Sequence, residues 1–257
     1  MKRKIDINCD LGESYGEFKI GNDEKIMSHI TSANIACGFH AGDPTTIART
    51  IDIAKKHGVA VGAHPGYPDI MGFGRREMQL TSEEAKNYTL YQVSALRGFA
   101  QAASLSLQHV KPHGALYNMA VKDEKLSKAI VEAIKALDTG LIVFAPPNST
   151  LSEAAAKNGL RVAHEFFADR AYNPNGSLIS RKQSNAIIQD PKKVVERVVK
   201  AVEDGTVVAA NGEVLDVGKV HTICVHGDTP TALELAETIK KRLVRAGIEV
   251  KPVSSFI

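Results

Sequence analysis

Four histidines of this chain follow short apolar segments and stand close to glycine. They lie in the segments IACGFHAGD, AVGAHPGYPD, HVKPHGAL and TICVHGDTP, as His40, His64, His113 and His226. Glycine lets a turn approach a ligand closely. Imidazole acts as a general acid, a general base or a hydrogen-bond donor near neutral pH. The recurrence predicts that the four histidines share one site and perform acid–base chemistry there.

Charged residues occupy comparable positions after other apolar segments. Asp10 and Glu13 follow the first such segment, Asp169 and Arg170 follow a later one, and Asp228 follows the last. In α/β barrels, residues at the carboxyl ends of the strands meet at one face, where active sites form. We therefore expect these residues to lie near the four histidines.

Lys111 stands near the end of a predicted buried strand, where an ammonium group needs an anionic partner. A substrate carboxylate or phosphate is one such partner. Pairing with Glu165 or Asp10 is an equally good interpretation from the sequence. Both interpretations remain open at this point.

The composition is that of an ordinary globular protein, with 44% hydrophobic and 24% charged residues among 257. This length allows one large α/β domain or two small ones. The 32 basic and 29 acidic side chains are mixed along the chain, and only 5% of residues are aromatic, which argues against nucleic-acid binding. The three cysteines form no CxxC pair, and neither an apolar leader nor a membrane span is recognisable. These features predict a cytoplasmic protein.

Helix boundaries are marked at many points of the chain. Asp43 before Pro44, and Thr81 three residues before Glu84, have the spacing of helix N-caps. Asp43 is therefore interpreted chiefly as a cap. Glycine in the left-handed conformation commonly ends helices, and amphipathic segments end at Gly58, Gly140, Gly159 and Gly247.

Short β-branched segments lie between the predicted helices and read as continuous apolar strands. The predicted strands are Lys4–Cys9, Ala33–Cys37, Ala60–Ala63, Gln108–Lys111, Leu141–Ala145, Arg161–Glu165, Thr222–Val225 and Glu249–Val253. An Asn-Gly pair in VVAANGEVLDV predicts a hairpin insertion near 206–218. The alternation predicts one domain over residues 1–257, an irregular (β/α) barrel of about seven parallel strands. An open doubly wound sheet is the alternative.

Other chemistries are less well supported by the sequence. Neither a GxSxG nucleophile motif nor a GxxxxGK[ST] phosphate-binding loop is present. Asp10, His40 and His64 resemble an Asp-His-His metal-ligand set, but without HxxxH or HxxH spacing. Acid–base chemistry without a metal is therefore preferred, and a metal in this chain stays an open question. Five histidines are interpreted as structural or exposed: His29, His57, His109, His164 and His221.

Several long motifs resemble the LamB/YcsF family, which comprises the A subunit of ATP-hydrolysing 5-oxoprolinase and whose members were once called lactam-utilisation proteins. They are DINCDLGESYGEFKIGNDEKIMSHITSANIACGFHAGDP, GVAVGAHPGYPD, MGFGRR, VKPHGALYN, FADRAYNPNGSLISR and VHGDTP. The resemblance runs essentially end to end. It implies a barrel like those of glycoside hydrolases and deacetylases. It also implies a hydrolase of cyclic amide C–N bonds that opens 5-oxo-L-proline to L-glutamate, with ATP as co-substrate and subunits B and C as partners.

Within this interpretation the candidate residues fall into two sets. The predicted catalytic residues, which would activate water or donate to developing charge, are Asp10, Glu13, His40, His64, His113 and His226. The predicted substrate-binding residues are Lys111, Asp169, Arg170, Arg181 and Asp228. In the second set, Lys111 with Arg170 or Arg181 would hold the substrate carboxylate or a phosphate.

Two other functions remain as alternatives. One is a metal-dependent deacetylase or amidohydrolase that acts alone and without ATP, for which the Asp-His-His set is the reason. The other is a non-catalytic binding subunit, because the chain lacks a recognisable nucleotide motif. Metal content, turnover without ATP and the effect of site variants on the complex separate the three.

Overall fold

The structure, a computed structural model, describes residues 2–227 and 231–257. The strands within these residues are β1 (Lys4–Leu11), β2 (Ser32–Ala36), β3 (Ala60–His64), β4 (Leu107–Val110), β5 (Ile142–Ala145), β6 (Arg161–Phe167), β7 (Thr206–Val208), β8 (Val214–Asp216), β9 (Thr222–His226) and β10 (Glu249–Val250). The helices are α1 (Asp23–Ile26), α2 (Pro44–His57), α3 (Ser82–Ala102), α4 (Gly114–Ala120), α5 (Glu124–Leu137), α6 (Thr150–Lys157), α7 (Pro191–Asp204) and α8 (Ala232–Arg245). None of the helices in the described residues has the length and apolar character needed to cross a bilayer.

Seven parallel strands form a closed barrel in the order β1, β2, β3, β4, β5, β6 and β9. The closing pair is β1 with β9, in a register that places Asp6 beside Thr222 and Asp10 beside His226. This pairing confirms the predicted barrel and excludes the open sheet. β10 extends β1 at its first residues, and β7 pairs with β8 in an antiparallel hairpin outside the barrel.

The helix caps form largely where the sequence places them. The Asp43 side chain accepts hydrogen bonds from the backbone N–H groups of Thr45 and Thr46, and α3 begins with a capping box between Thr81 and Glu84. Each such cap stabilises a helix by about 1 kcal/mol. The prediction at Gly140 is wrong: α5 ends at Leu137 with the extended residue Asp138, and Gly140 has no positive φ.

The barrel strands differ from the predicted continuous apolar segments, because their inward faces are polar. In β1 the apolar residues Ile5 and Ile7 alternate with Asp6, Asn8 and Asp10, and all five are buried. Side chains alternate between the two faces of a strand, so the apolar row packs against the helices and the polar row fills the barrel. The core under the helices is therefore apolar, whereas the centre of the barrel is a network of hydrogen bonds and ion pairs.

The amino end of the barrel is closed by the C-terminal segment. Val253 packs with Ile142, Phe144 and Ala163 in a small apolar cluster. Above this cluster, the backbone N–H and the hydroxyl of Ser254 donate to Oε1 of Gln108, at 3.1 and 2.7 Å. The barrel is therefore filled from below, and a ligand has access only from the carboxyl ends of the strands.

Asp6 is fully buried in the lower part of the barrel, and burial raises its pKa to about 6, against the effect of the hydroxyl donors Thr222, Thr31 and Ser32. The folded protein then binds a proton more tightly than the unfolded chain between about pH 4 and 6. This carboxyl therefore lowers the free energy of unfolding as the pH rises through that range.

Asp6→Asn removes this titration. We expect its free energy of unfolding, relative to the wild type, to improve by about 2 to 3 kcal/mol between about pH 4 and pH 7. Urea unfolding of both proteins at several pH values measures the difference. A difference that does not change with pH would contradict the prediction.

Candidate active site

The predicted catalytic residues meet at the carboxyl ends of the barrel strands. All six are less than a tenth exposed: Asp10, Glu13, His40, His64, His113 and His226. The sequence places three of them just after their strands, but Asp10 lies within β1, and His64 and His226 are the last residues of β3 and β9. These strands run longer than expected because their polar inward residues still pair in register with neighbouring strands.

Two of the histidines have ring orientations fixed by backbone carbonyls. His64 Nδ1 lies 2.6 Å from the carbonyl oxygen of Lys111, and His113 Nε2 lies 2.9 Å from that of Phe73. A carbonyl only accepts, so each of these nitrogens carries a proton. The other two nitrogens, His64 Nε2 and His113 Nδ1, face each other at 3.0 Å. In neutral rings both of them present a lone pair.

His40 and Glu13 complete this cluster. The His40 ring stacks on His113 with centroids 3.7 Å apart. Glu13 Oε1 lies 3.4 Å from His40 Nε2 and 3.5 Å from His113 Nδ1. Burial, together with the neighbouring imidazoles, holds the pKa of both His40 and His113 well below the ordinary value. Both rings are therefore neutral at physiological pH.

Lys111 lies inside the barrel, below the histidines, and is 2% exposed. Its Nζ is 2.9 Å from Asp10 Oδ1 and 2.9 Å from Glu165 Oε1, and it donates to Cys224 Sγ at 3.0 Å. Both carboxylates that the sequence offers as its partners are thus present. Burial opposes the charge, but Asp10, Cys224 and Glu165 outweigh it and hold the pKa of Lys111 well above its usual value.

Asparagine side chains connect the ion pairs to one another. Asn8 Nδ2 donates to Glu165 Oε1 at 3.0 Å, and its Oδ1 accepts from Asn34 Nδ2 at 2.7 Å. Asn34 also donates to Asp10 Oδ1, at 2.8 Å. Tyr117 donates its hydroxyl hydrogen to Glu165 Oε2 at 2.8 Å. These bonds fix the positions of the charged groups, which is the condition for preorganised electrostatics.

Asp10 connects the network to the histidine cluster. One of its oxygens is bound to Lys111 and Asn34, and the other, Oδ2, lies 3.5 Å from His64 Nε2. Burial alone would raise the pKa of Asp10, but His64, Lys111 and His226 hold it well below the usual value. The carboxylate therefore stays ionised, with one oxygen directed towards the mouth of the barrel.

A second carboxylate–histidine pair lies across the mouth. Asp169 Oδ1 is 2.8 Å from His226 Nδ1. Burial opposes ionisation of Asp169, whereas His226 and Arg181 lower its pKa below the usual value. This pair fixes the orientation of the His226 ring at the mouth of the barrel.

The two predicted substrate-binding arginines differ in their surroundings. Arg170 is buried and donates to the carbonyl oxygens of Ile179 and Ala186, so it holds the loop between β6 and α7 in place. Burial and the nearby Arg181 lower its pKa to about 10. Arg181 is half-buried near Asp169. The remaining candidate, Asp228, lies outside the described residues.

Several members of the network are missed by reasoning from the sequence. They are Asn8, Asn34, Tyr117 and Cys224, together with His109, whose place among the structural or exposed histidines needs correction because it donates Nε2–H to Asn34 Oδ1 at 2.6 Å inside the barrel. A signal for part of this set is present in β1. Asp6, Asn8 and Asp10 recur at every second residue, the period of one face of a strand.

The loop between β3 and α3 covers the histidine cluster. Asp69 shapes this loop by accepting from Gly72 N at 2.9 Å and Arg76 Nε at 2.8 Å. Phe73 packs edge-on against the stacked rings of His40 and His113. A ligand that reaches the cluster from above must therefore displace this loop.

Gly74, in this loop, has a φ of +63°, and a Cβ there would lie 2.6 Å from His40 Cβ and 2.8 Å from His113 Cδ2. We expect Gly74→Ala to displace the two rings and to reduce turnover at least about tenfold, with about 1 to 3 kcal/mol of destabilisation. Gly58→Ala is the matched control, because Gly58 has a φ of +65° and nothing lies within 4 Å of its added Cβ. Equal turnover in the two variants would contradict this prediction.

Comparisons with known proteins agree with the resemblance seen in the sequence. A protein of Pyrococcus abyssi, named as the A subunit of 5-oxoprolinase, is 55% identical over 254 residues, or 99% of each chain. The crystal structure of a lactam utilization protein from Thermus thermophilus matches with a TM-score of 0.91 at 46% identity, over 96% of this chain and 99% of that one. A putative cellobiose-phosphate cleavage protein of Enterococcus faecalis V583 (TM-score 0.59, 11% identity, 99% of each chain) shares the fold alone. The LamB/YcsF family profile matches residues 5–257, and the chain belongs to this family.

Proposed function

We propose that this chain is a subunit of an ATP-hydrolysing 5-oxoprolinase, which opens the lactam ring of 5-oxo-L-proline to give L-glutamate. The observation that carries the proposal is the match of 55% identity over 99% of both chains to a relative named as the A subunit of 5-oxoprolinase. The convergence of six buried acid–base side chains at one end of the barrel supports a catalytic role for this subunit.

The use of ATP follows from the chemistry of the substrate. A five-membered lactam is a resonance-stabilised amide, and its hydrolysis near neutral pH is uphill. Transfer of the γ-phosphoryl group to the lactam oxygen releases ADP and leaves an activated carbon. Water adds to that carbon, the C–N bond breaks as the nitrogen takes a proton, and a second water hydrolyses the resulting acyl phosphate to glutamate and phosphate.

Within the site, we assign the ionised Asp10, with His64 beside it, to the activation of water. The lactam oxygen and the leaving nitrogen face donors such as His226, whose ring is held by Asp169 at 2.8 Å. Lys111 keeps the buried carboxylates in place and contributes positive potential near an anionic substrate. Its ammonium already has two carboxylate partners, so the substrate carboxylate is more favourably held by Arg181 at the mouth.

The letter in the relatives' name implies other subunits, and we propose that subunits B and C are the partners. ATP binds either here or on a partner, since the sequence has no phosphate-binding loop of the GxxxxGK[ST] type. The three cysteines are free and buried, as in proteins of a reducing compartment, and we place the complex in the cytoplasm.

Reconstitution tests the proposed function. The chain is purified, mixed with subunits B and C, and assayed for glutamate and ADP formation from 5-oxo-L-proline and ATP. We expect turnover only when all three proteins and ATP are present. Turnover that is unchanged when this chain is omitted would overturn the proposal. Full binding of subunits B and C with unchanged turnover in the site variants would instead indicate a non-catalytic binding subunit.

The cluster of Glu13, His40, His64 and His113 favours one second candidate, a metal-dependent amide hydrolase that acts without ATP. Their ligand atoms lie within 4.8 Å of one another. Such an enzyme would hydrolyse an acetamido or cyclic amide substrate by the purified chain alone. Assays without ATP and without partners, with divalent metal added, distinguish it from the 5-oxoprolinase.

A further inference from the structure

We propose that Glu13, His40, His64 and His113 form a binding site for one divalent transition-metal ion of the zinc class. The ligand atoms are a carboxylate oxygen and three imidazole nitrogens, all within 4.8 Å of one another and all on buried residues. This inference goes beyond the proposed function, because metal binding is a property of the chain in the absence of substrate, ATP and partners.

The first argument is the direction of the lone pairs. Backbone carbonyls fix a proton on His64 Nδ1 and on His113 Nε2, so the opposite nitrogens of the two neutral rings are both acceptors. These acceptors face each other at 3.0 Å. Two lone pairs at this distance repel each other unless a cation lies between them. A metal ion satisfies both at once.

The second argument is His40. It is 1% exposed, and within the described residues neither of its ring nitrogens has a hydrogen-bond partner. A buried imidazole without hydrogen bonds is costly. Its Nε2 points towards Glu13 Oε1, at 3.4 Å, in the same small volume that the other two histidines face. Coordination would give this nitrogen the partner that it lacks.

The distances fit a first-row metal. Two nitrogens that each lie about 2.1 Å from one ion and 3.0 Å from each other subtend about 90° at the ion. The separations of 3.4 and 3.5 Å from Glu13 Oε1 to His40 and His113 correspond to wider angles, close to tetrahedral. Three imidazoles and one carboxylate suit zinc, cobalt or iron, whereas magnesium and calcium prefer oxygen ligands alone.

A second group of possible ligands lies nearby but is occupied by an ammonium group. Asp10, Cys224 and His226 also bring their ligand atoms together. Lys111 Nζ lies 2.9 Å from Asp10 Oδ1 and 3.0 Å from Cys224 Sγ, so a cation is already present there. A divalent ion at this position would have to displace a buried lysine from two carboxylates. The histidine cluster is therefore the favoured site.

Metal titration of the purified full chain tests the inference. The protein is stripped with a chelator and titrated with Zn²⁺ and Co²⁺, with Mg²⁺ as a reference. Bound metal is measured by plasma emission, and Co²⁺ also by its visible spectrum. We expect one ion of zinc or cobalt per chain, a cobalt spectrum without a thiolate charge-transfer band, and no competition by Mg²⁺.

Four variants locate the ion. His40→Asn and His113→Asn are expected to weaken zinc binding at least about 100-fold, because loss of even an outer partner changes affinity 10–100-fold. Glu13→Gln serves as a third ligand variant if a histidine variant does not fold. His164→Asn, on a half-buried histidine outside the cluster, is the matched control and is expected to bind zinc like the wild type.

Three results would overturn the inference: a wild type that takes up no more zinc than magnesium, ligand variants that bind zinc as the wild type does, or loss of binding in Cys224→Ala. The last result would assign the ion to the group around Lys111. Ring opening without bound metal would overturn the metal site and leave the proposed function intact. Metal binding without ring opening would do the reverse.

Discussion

Replacing Lys111 with methionine is expected to lower the free energy of unfolding by about 3 to 5 kcal/mol and to abolish ring opening. The ammonium lies 2.9 Å from both Asp10 Oδ1 and Glu165 Oε1, in the interior of the barrel. Methionine leaves these carboxylates buried next to each other without a cation. Urea unfolding measures the stability, and glutamate formation by the reconstituted complex measures the activity.

The dependence on pH separates this mechanism from a simple packing defect. In Lys111→Met the unpaired carboxyls are expected to have raised pKa values, so the folded variant takes up protons and its deficit in stability shrinks as the pH falls from about 8 to 5. Adding Glu165→Gln is expected to restore part of the stability but none of the turnover. A deficit that is constant with pH and insensitive to Glu165→Gln would contradict the electrostatic explanation.

Asp10→Asn is expected to reduce turnover by about 100- to 10,000-fold, the usual range for loss of a positioned acid–base group. The variant keeps the shape of the side chain and can still accept from Lys111. Its stability should therefore fall by only about 1 to 3 kcal/mol. Glutamate formation under saturating 5-oxoproline and ATP measures the effect on turnover.

The matched control is Asp6→Asn, on the same strand and the same inward face but in the lower part of the barrel. Its turnover is expected to equal that of the wild type, and equal losses in both variants would contradict a specific role for Asp10. The stability of Asp10→Asn carries a second test. Because the pKa of Asp10 is depressed in the folded protein, its contribution is present above about pH 4 and disappears as the pH falls below that value.

Much of the fold follows from local signals in the sequence. The caps at Asp43 and Thr81 and the left-handed Gly58 mark helix ends through hydrogen bonds and φ angles that depend on only a few neighbouring residues. Alternation of helices with short strands then leaves few topologies. Barrel closure is harder to predict, because it depends on pairing between β1 and β9, which are far apart in the sequence.

The candidate site was predictable in its location and less so in its connections. Histidines close to glycine mark the strand ends, and the four of them converge with Asp10 and Glu13. The partners of Lys111 could not be chosen, because Asp10 and Glu165 lie on strands that local pattern does not place side by side. Asn8 and Asn34 escape prediction when the strands are read as uniformly apolar, although β1 alternates strictly.

The polar row of β1 has a consequence for biosynthesis. Asn8 bonds to Glu165 and Thr222, which are 157 and 214 positions further along the polypeptide. The earliest strand to leave the ribosome therefore waits for the last barrel strand before its hydrogen bonds can form. Contacts of such long sequence separation slow folding. The nascent chain is thus expected to hold its acidic first strand in water until translation is almost finished, and to acquire the catalytic centre in one late step.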